Sequence, residues 1–361
     1  MNNENDPYRQ LQEHLDKMPI GYPATESGVE INLLKLVFTP EQARLATYLD
    51  YKYKSIPEIY EIAKTIVSST EELTTMLDEI VAKGGISRRE RNNQKQYAVV
   101  PLVLWGIFEQ RVKRLNPEFM MNFGQYMQHE YGYEMASPKV PKMRVIPVEK
   151  SVKVEHRVST YDELRSLIEK AGEHIAIQEC ICRKVRDKMG THCQKTERRE
   201  VCMSFGDLAD LYAEEGWGRK ISQEEALEIS RKNEEEGLVM MPGNAKEMQF
   251  MCACCGDCCG MLSNLKYMPR PADAVASNYF ARIDPGLCKV SATCVSGCPT
   301  EAVKLEENVS SIDLAKCIGC GVCVPTCPNE AIFLVKKDYE IEPQETEDDL
   351  YDQILAGKST K

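Results

Sequence analysis

IDPGLCKVSATCVSGCPTEAV, at residues 283–303, is followed by IDLAKCIGCGVCVPTCPNEAI at residues 312–332, and the two stretches are copies of one pattern. Both begin with Ile-Asp, both carry cysteines at regular spacing, and in both a Cys-Pro pair precedes Glu-Ala and a β-branched residue. A pattern repeated through its thiols and a trailing proline indicates two equivalent metal-binding loops rather than scattered buried cysteines. This duplication decides how the C-terminal part of the chain is interpreted.

The second copy contains the most specific motif of the sequence. Its spacing Cys-x2-Cys-x2-Cys-x3-Cys-Pro is formed by Cys317, Cys320, Cys323 and Cys327. Over about 55 residues the region therefore resembles the bacterial two-cluster ferredoxins. The resemblance implies one [4Fe-4S] cluster held by Cys317, Cys320, Cys323 and Cys298, and a second cluster held by Cys288, Cys294 and Cys327. A zinc ribbon or a disulfide knot is the alternative, but paired CxxC zinc motifs lack the third thiol and the proline.

The first copy departs from the ferredoxin pattern at one position. Ser291 stands where the second copy has Cys320, so the second cluster has three thiols instead of four. Three thiols can hold either a [3Fe-4S] cluster or a [4Fe-4S] cluster that serine or an external ligand completes. In both cases we expect the redox behaviour of this cluster to differ from that of its neighbour.

The composition describes a soluble protein. The chain has 361 residues, which is long enough for two or three globular domains. Of these residues 43% are hydrophobic and 28% are charged, as is ordinary for a soluble globular protein. The polar N-terminus and the short apolar run at Tyr97–Phe108 predict a cytoplasmic protein without a membrane span. Sixteen cysteines in such a protein indicate metal clusters rather than disulfides, and they suggest an anaerobe or a well-protected compartment. The net charge of −11 disfavours general binding to nucleic acids.

The N-terminal region predicts three helices and a two-stranded hairpin between Phe38 and Val100. This order resembles the winged helix-turn-helix domains of bacterial regulators over about 65 residues. The resemblance implies DNA binding, with the phosphate contacts made by wing cations, namely Arg88, Arg89, Arg91 and Lys95. The third helix carries four carboxylates that would repel phosphate, namely Glu71, Glu72, Asp78 and Glu79. The sequence therefore favours protein docking over DNA binding for this domain.

Two more helices are predicted at Trp105–Leu115 and Pro117–Tyr133. Their Met and aromatic residues indicate a face buried in the core or a homodimer contact. The alternative is that these residues form a cofactor-binding surface. Residues 137–157 are basic and rich in proline, which predicts a solvated linker.

The region between this linker and the duplicated pattern carries nine further cysteines. We expect them to bind a third iron–sulfur cluster or zinc, with the division among sites open. Cys180 and Cys182 are predicted to share one face of a strand, and His192 leaves a mixed Cys/His zinc site open. The candidate ligands are Cys180, Cys182, Cys193, Cys202, Cys252, Cys254, Cys255, Cys258 and Cys259.

The sequence thus predicts an α+β multidomain protein. Its parts are a winged-helix-like domain at 1–136, the linker at 137–157, a Cys-rich α+β middle domain at 158–276, a ferredoxin-like two-cluster domain at 277–337, and an acidic tail at 338–361. No dinucleotide fingerprint or phosphate-binding loop is present.

We therefore expect an electron-transfer protein, or an oxidoreductase subunit, that passes electrons between redox protein partners in anaerobic metabolism. The alternatives are a redox-sensing transcriptional regulator that binds DNA through the winged helix, and substrate chemistry at an incompletely ligated cluster.

Overall fold

A computed structural model of the chain describes residues 6–136, 140–151, 159, 162–305 and 310–358. The chain divides into two compact units. The first comprises residues 1–139, 210–218 and 351–361, and the second comprises residues 140–209 and 219–350. The five-part division by sequence is finer than this and stays a prediction. None of the described helices combines the length and the apolar composition that crossing a bilayer requires.

The first unit is mainly helical with one small sheet. Its elements are α1 (Pro7–Asp16), α2 (Val29–Lys35), α3 (Pro40–Ala46), β1 (Lys54–Ser55), α4 (Ile56–Ala63), α5 (Thr70–Ala82), β2 (Ile86–Arg91), β3 (Gln94–Val99), α6 (Pro117–Met127) and α7 (Glu130–Ala136). The sheet is antiparallel, with the strand order β1-β3-β2.

Local sequence signals explain these elements. Thr39 and Gln42 form a capping box that opens α3, and the Ser69 hydroxyl accepts the N–H of Glu72 at the start of α5. Asn92 and Asn93 both have positive φ, which gives the tight turn between β2 and β3. The three predicted helices and the hairpin are therefore present. Their assignment to the winged-helix class stays a prediction.

The predicted helix at Trp105–Leu115 is wrong. Only Glu109–Arg111 form a single turn of 3-10 helix. Leu104 and Trp105 have φ values of 69° and 64°, which an α-helix excludes, and the Pro101 carbonyl accepts the N–H of Ile107 at 2.9 Å instead. The second predicted helix is divided into α6 and α7.

The second unit is built on a five-stranded antiparallel sheet. The strand order is β6-β4-β5-β8-β7. The elements up to this sheet's last helix are α8 (Leu164–Lys170), β4 (Ile175–Glu179), α9 (Ile181–Lys188), β5 (Glu200–Phe205), α10 (Gly206–Glu214), β6 (Arg219–Lys220), α11 (Gln223–Glu235), β7 (Val239–Pro242), β8 (Phe250–Cys254) and α12 (Gly260–Leu265). Helix α10 ends among residues of the first unit.

The duplicated pattern forms two antiparallel strand pairs in the second unit. Its elements are β9 (Tyr279–Ile283), α13 (Thr293–Gly297), β10 (Val303–Leu305), β11 (Ser310–Ile312) and β12 (Ile332–Lys336). β9 pairs with β12, and β10 pairs with β11. Each copy therefore begins in one strand pair and ends in the other. A common core of apolar side chains and buried cysteines lies between them.

The basic segment at 137–157 is not a solvated linker where it is described. Lys142 and Arg144 are buried, and the Arg144 guanidinium lies 3.4 Å from the carboxylate of Asp162. The Arg144 N–H donates to the Pro242 carbonyl, which attaches the segment to the end of β7. A buried cation is retained because a carboxylate and carbonyl oxygens compensate its lost hydration. Lys139, Lys153 and Arg157 lie outside the described residues.

The acidic tail is also more ordered than the sequence predicts. Residues 347–358 form α14 (Glu347–Lys358), in which Ile354 is buried. The rings of Tyr351 and Tyr51 meet edge to face at 6.0 Å within the first unit. An acidic composition alone does not predict this helix, whose apolar residues recur on one face.

Candidate metal centres

Four cysteines of the duplicated pattern line one cavity in the second unit. Cys317, Cys320 and Cys323 lie in the loop after β11, and Cys298 follows α13 directly. The other residues that line the cavity are mostly apolar. The structure thus brings together the four residues that the sequence assigns to the first cluster.

The protonation chemistry of these thiols fits a bound cluster. Burial raises the pKa values of Cys317, Cys320 and Cys323, and the nearby sulfurs raise them further. Thiols with raised pKa values become thiolates only when a cation compensates their charge. The donor set is therefore suited to bound iron and unsuited to free thiolates.

Backbone N–H groups point at the sulfurs in the same way in both copies. Ala302 donates to Cys298 Sγ at 3.2 Å, and Ala331 donates to Cys327 Sγ at 3.4 Å. The two alanines occupy the same position of the repeat. Hydrogen bonds from N–H groups stabilise cluster thiolates and help to set their reduction potential. The sequence repeat is thus reproduced in the environment of its thiols.

The segment at 140–151 covers the loop that carries Cys320. The Val148 N–H donates to the Cys320 carbonyl at 3.0 Å. Ser151 packs so closely on Gly321 that a Cβ there would lie 2.2 Å from the serine hydroxyl. This contact was not predictable from the sequence, because a basic and proline-rich segment is typical of an exposed connection.

A second group of thiols comprises Cys288, Cys294 and Cys327. Burial raises the pKa of Cys294, and repulsion from Cys327 and Cys288 adds to the rise, so both of these thiols lie near Cys294. Ser291 is exposed, and its hydroxyl lies 3.2 Å from that of Thr293. Ser291 therefore makes no contact with the thiols in this structure.

Ser310 is the hydroxyl that lies beside these thiols, and the sequence reasoning missed it. It is buried, and its Oγ lies 4.0 Å from Cys294 Sγ. Its backbone N–H, followed by that of Val290, lowers the pKa of Cys288, and its hydroxyl adds to the effect. Ser310 occupies the repeat position of Ala281, whose N–H donates to Cys317 Sγ. Alignment of the two copies could have identified it.

The nine middle-domain cysteines separate into two groups. Six thiols form a closed ring in which each hydrogen-bonds with two neighbours, and Cys254 and Cys259 lie 3.2 Å apart. The order around the ring is Cys180, Cys182, Cys259, Cys254, Cys252 and Cys202. Strands β5 and β8 and the starts of α9 and α12 contribute these residues.

The predicted strand position of Cys180 and Cys182 is wrong. Strand β4 ends at Glu179 after a bulge, Cys180 is the N-cap residue of α9, and Cys182 lies in that helix. The two thiols still meet, because the turn from strand to helix directs both toward the ring. A shared site was thus expected for an incorrect geometric reason.

The second middle-domain group contains Cys193, Cys255 and Cys258, together with Asp257. One donor atom from each of the four residues lies within 4.8 Å of all the others. His192 is not part of this group, because its exposed ring pairs with Asp187 at 2.9 Å. The open alternative of a Cys/His site therefore receives no support from the structure. Asp257 was not singled out by the sequence.

Arg183 lies between the two groups and is fully buried. Its guanidinium donates to Cys193 Sγ at 3.4 Å, to Cys255 Sγ at 3.2 Å and to the Ala253 carbonyl at 3.1 Å. Burial on its own would lower the pKa of Arg183, but electrostatic attraction to Cys180, and then to Cys255, together with hydrogen bonding to Cys193, raises it. A buried guanidinium requires anionic partners, so this contact favours thiolates over thiols at the middle-domain sites.

The wing cations of the first unit are occupied by internal partners. Arg88 pairs with Asp78 at 3.2 Å and with Glu214 at 2.7 Å, and Lys95 pairs with Asp78 at 2.7 Å. The Arg89 guanidinium stacks on the Tyr53 ring. Neutralised cations offer little to phosphate groups, and the DNA-binding alternative is not favoured.

Comparison with protein families gives one match. Residues 280–328 match the family model described as a 4Fe-4S dicluster domain. Neither curated proteins nor solved structures gave a match. The prediction of a C-terminal ferredoxin-like iron–sulfur domain is confirmed, and the chain is a mixed α and β protein that carries this domain. The winged-helix resemblance received no support from the comparisons.

Proposed function

We propose that this protein transfers electrons between redox partner proteins through two iron–sulfur clusters in its C-terminal region. The observation that carries the proposal is the family match over both copies of the thiol pattern, together with their repeated N–H to sulfur contacts. Iron–sulfur clusters are suited to one-electron transfer because charge spreads over iron, sulfide and thiolate.

In the proposed assignment, Cys298, Cys317, Cys320 and Cys323 hold a [4Fe-4S] cluster. The cavity that these four residues line supports this assignment. A second cluster is assigned to Cys288, Cys294 and Cys327. It is either a [3Fe-4S] cluster or a [4Fe-4S] cluster completed by an external ligand, since the Ser291 side chain is exposed. When bound, the clusters supply the electron-accepting orbitals, and the chain supplies thiolates, N–H donors and burial.

The proposed ligand sets place the two clusters close together. Cys294 and Cys298 belong to different sets but are separated by a single turn of α13. A helical turn of this length spans ~6 Å, which brings the cluster edges within a short hopping distance. In this assignment, Cys298 of the first copy binds the cluster of the second copy, and Cys327 of the second copy binds the cluster of the first. This crossing of ligands keeps the two clusters close enough to relay electrons. The six-thiol ring of the middle domain is left outside this relay, because the sulfurs of Cys254 and Cys259 lie 3.2 Å apart, closer than the thiolates around an iron–sulfur cube.

The test is anaerobic purification or reconstitution of the full chain, followed by iron and sulfide counts and electron paramagnetic resonance. We expect dithionite to reduce the protein and an external acceptor to reoxidise it. Cys323→Ser should remove the signal of the first cluster and leave that of the second. Ser291→Cys should convert a three-iron signal in the oxidised protein to a four-iron cluster, with the wild type as its control. A protein that cannot be reduced and reoxidised would contradict the proposal.

A further inference from the structure

The four donors at Cys193, Cys255, Asp257 and Cys258 have the spacing of a single-ion site. All lie within 4.8 Å of one another, and the sulfurs of Cys193 and Cys255 are 3.7 Å apart. Zinc–sulfur bonds of about 2.3 Å in a tetrahedron place two sulfurs ~3.8 Å apart. Thiolates around an iron–sulfur cube are held farther apart, because the cube lies between them. The spacing thus favours one ion.

The carboxylate of Asp257 is oriented as a ligand. The Gln194 N–H donates to Asp257 Oδ2 at 2.7 Å and fixes the side chain. Asp257 Oδ1 is buried and accepts no hydrogen bond from the described residues. A buried carboxylate oxygen without a donor is costly unless a cation binds it. Gly256 keeps the ligand loop compact, since a Cβ there would lie 2.8 Å from the Pro299 carbonyl.

Arg183 supplies the charge compensation that such a site needs. Three thiolates and one carboxylate around a divalent ion leave a net charge of −2, and the buried guanidinium reduces it to −1. Its hydrogen bonds to the sulfurs of Cys193 and Cys255 are contacts of the kind that orient metal ligands. The six-thiol ring uses none of these four donors, so the two sites are distinct.

We propose that Cys193, Cys255, Cys258 and Asp257 bind one zinc ion in a tetrahedral site with three sulfurs and one oxygen, separate from the iron–sulfur centres. Three thiolates select a thiophilic ion, and zinc adopts this geometry without a redox change. The site would fix the loop after α9 to the loop after β8 and would take no part in electron transfer.

The test uses the full chain, purified without oxygen from zinc-supplemented medium. We expect one zinc per chain, with three sulfurs near 2.3 Å and one oxygen near 2.0 Å in zinc-edge X-ray absorption. Cys258→Ser and Asp257→Asn should lower zinc occupancy at least tenfold after dialysis against a chelator, while iron, sulfide and the visible spectrum stay unchanged. Asp257→Cys should retain zinc with four sulfurs.

Cys317→Ser is the matched control, because it should lose iron and sulfide but keep zinc. The expected loss in Cys317→Ser is the iron and sulfide of the first cluster alone, so this pair separates failure of the zinc site from failure of the proposed electron-transfer function. If Cys258→Ser does not fold, the zinc-edge X-ray absorption spectrum of the wild type and the zinc occupancy of the Asp257 variants still show whether this site binds zinc. Zinc retained in both loss variants, or iron lost in step with Cys258, would overturn the proposal.

Discussion

Gly319 is the position at which one methyl group should do most damage to the first cluster. Its φ is +69°, and an added Cβ would lie 2.2 Å from the Tyr279 carbonyl oxygen and 2.4 Å from the Ser277 hydroxyl. The carbonyl belongs to β9, which is held by its pairing with β12 and cannot move away without breaking that ladder. The overlap therefore has no inexpensive relief.

The expected cost of Gly319→Ala follows from these two features. A left-handed backbone costs a residue with a Cβ about 1–2 kcal/mol. Overpacking against a fixed neighbour adds about 1–3 kcal/mol. The total of about 2–5 kcal/mol destabilises the closed form of the loop that carries Cys317 and Cys320, and it corresponds to at least ~30-fold in its opening equilibrium.

The assay is the anaerobic bleaching of cluster absorbance by excess iron chelator, which attacks through the opened loop. Gly319→Ala should bleach about 30-fold faster or more. Gly172→Ala is the matched control, because its φ is +66° but no atom lies within 4 Å of an added Cβ. It carries the backbone penalty at a distant turn and should leave the bleaching rate near that of wild type. Equal rates for the two variants would refute the reasoning from close approach.

Three further predictions test side chains outside that loop. Ser310→Ala should lower the reduction potential of the second cluster by on the order of 60 mV or less, since it removes a hydrogen-bond donor beside the thiolates. Ser291→Ala is the control and should leave this potential unchanged, because Ser291 is exposed. Redox titration measures both potentials. Burial alone would raise the pKa of Asp78, but hydrogen bonds from β3 lower it, so the Asp78 carboxylate stabilises the fold above pH ~4 and this stabilisation is lost as the pH falls. Asp78→Asn should therefore make the free energy of unfolding depend less on pH in acid unfolding. Burial raises the pKa of Glu234 to about 7, so the stability of the second unit should decline as the pH rises from ~4.3 through that value; Glu234→Gln should remove this slope in urea unfolding.

The ligands of the C-terminal clusters were predictable because they are local. Four thiols within eleven residues, with a trailing proline, leave few geometries, and the repeat aligns one copy on the other. Ser310 was also within reach of that alignment, as the partner of Ala281. A comparison limited to the cysteine positions points instead to Ser291, whose side chain faces solvent in the structure.

The division of the middle-domain thiols was not predictable in the same way. Cys202 and Cys252 become neighbours because β5 and β8 are adjacent in the sheet, and this pairing is set by tertiary packing. Adjacent Cys254 and Cys255 separate into different sites because β8 ends between them. Alternation along a strand also failed at Cys180, where a helix begins. The periodicity of side chains along the sequence does not show where a strand or helix ends when the residue at that end is itself a metal ligand.

The differences between the two copies imply a direction for electron flow. The backbone donors described for the two copies are equivalent, so a difference in potential beyond that set by the ligand sets must come from side chains and burial. Three of the four thiols assigned to the first cluster are buried, whereas Cys288 and Cys327 are partly exposed and Ser310 adds a hydroxyl. Burial disfavours the more negative reduced state, and hydrogen bonds to sulfur favour it.

We therefore expect the second cluster to have the higher potential and to deliver electrons at the surface near exposed Ser291. Redox titration of Cys294→Ser should then lose the centre that is reduced first and retain the centre that is reduced last. Loss of the low-potential centre in this variant would reverse the assignment, because it would mean that ligand identity outweighs burial and hydrogen bonding in setting the two potentials.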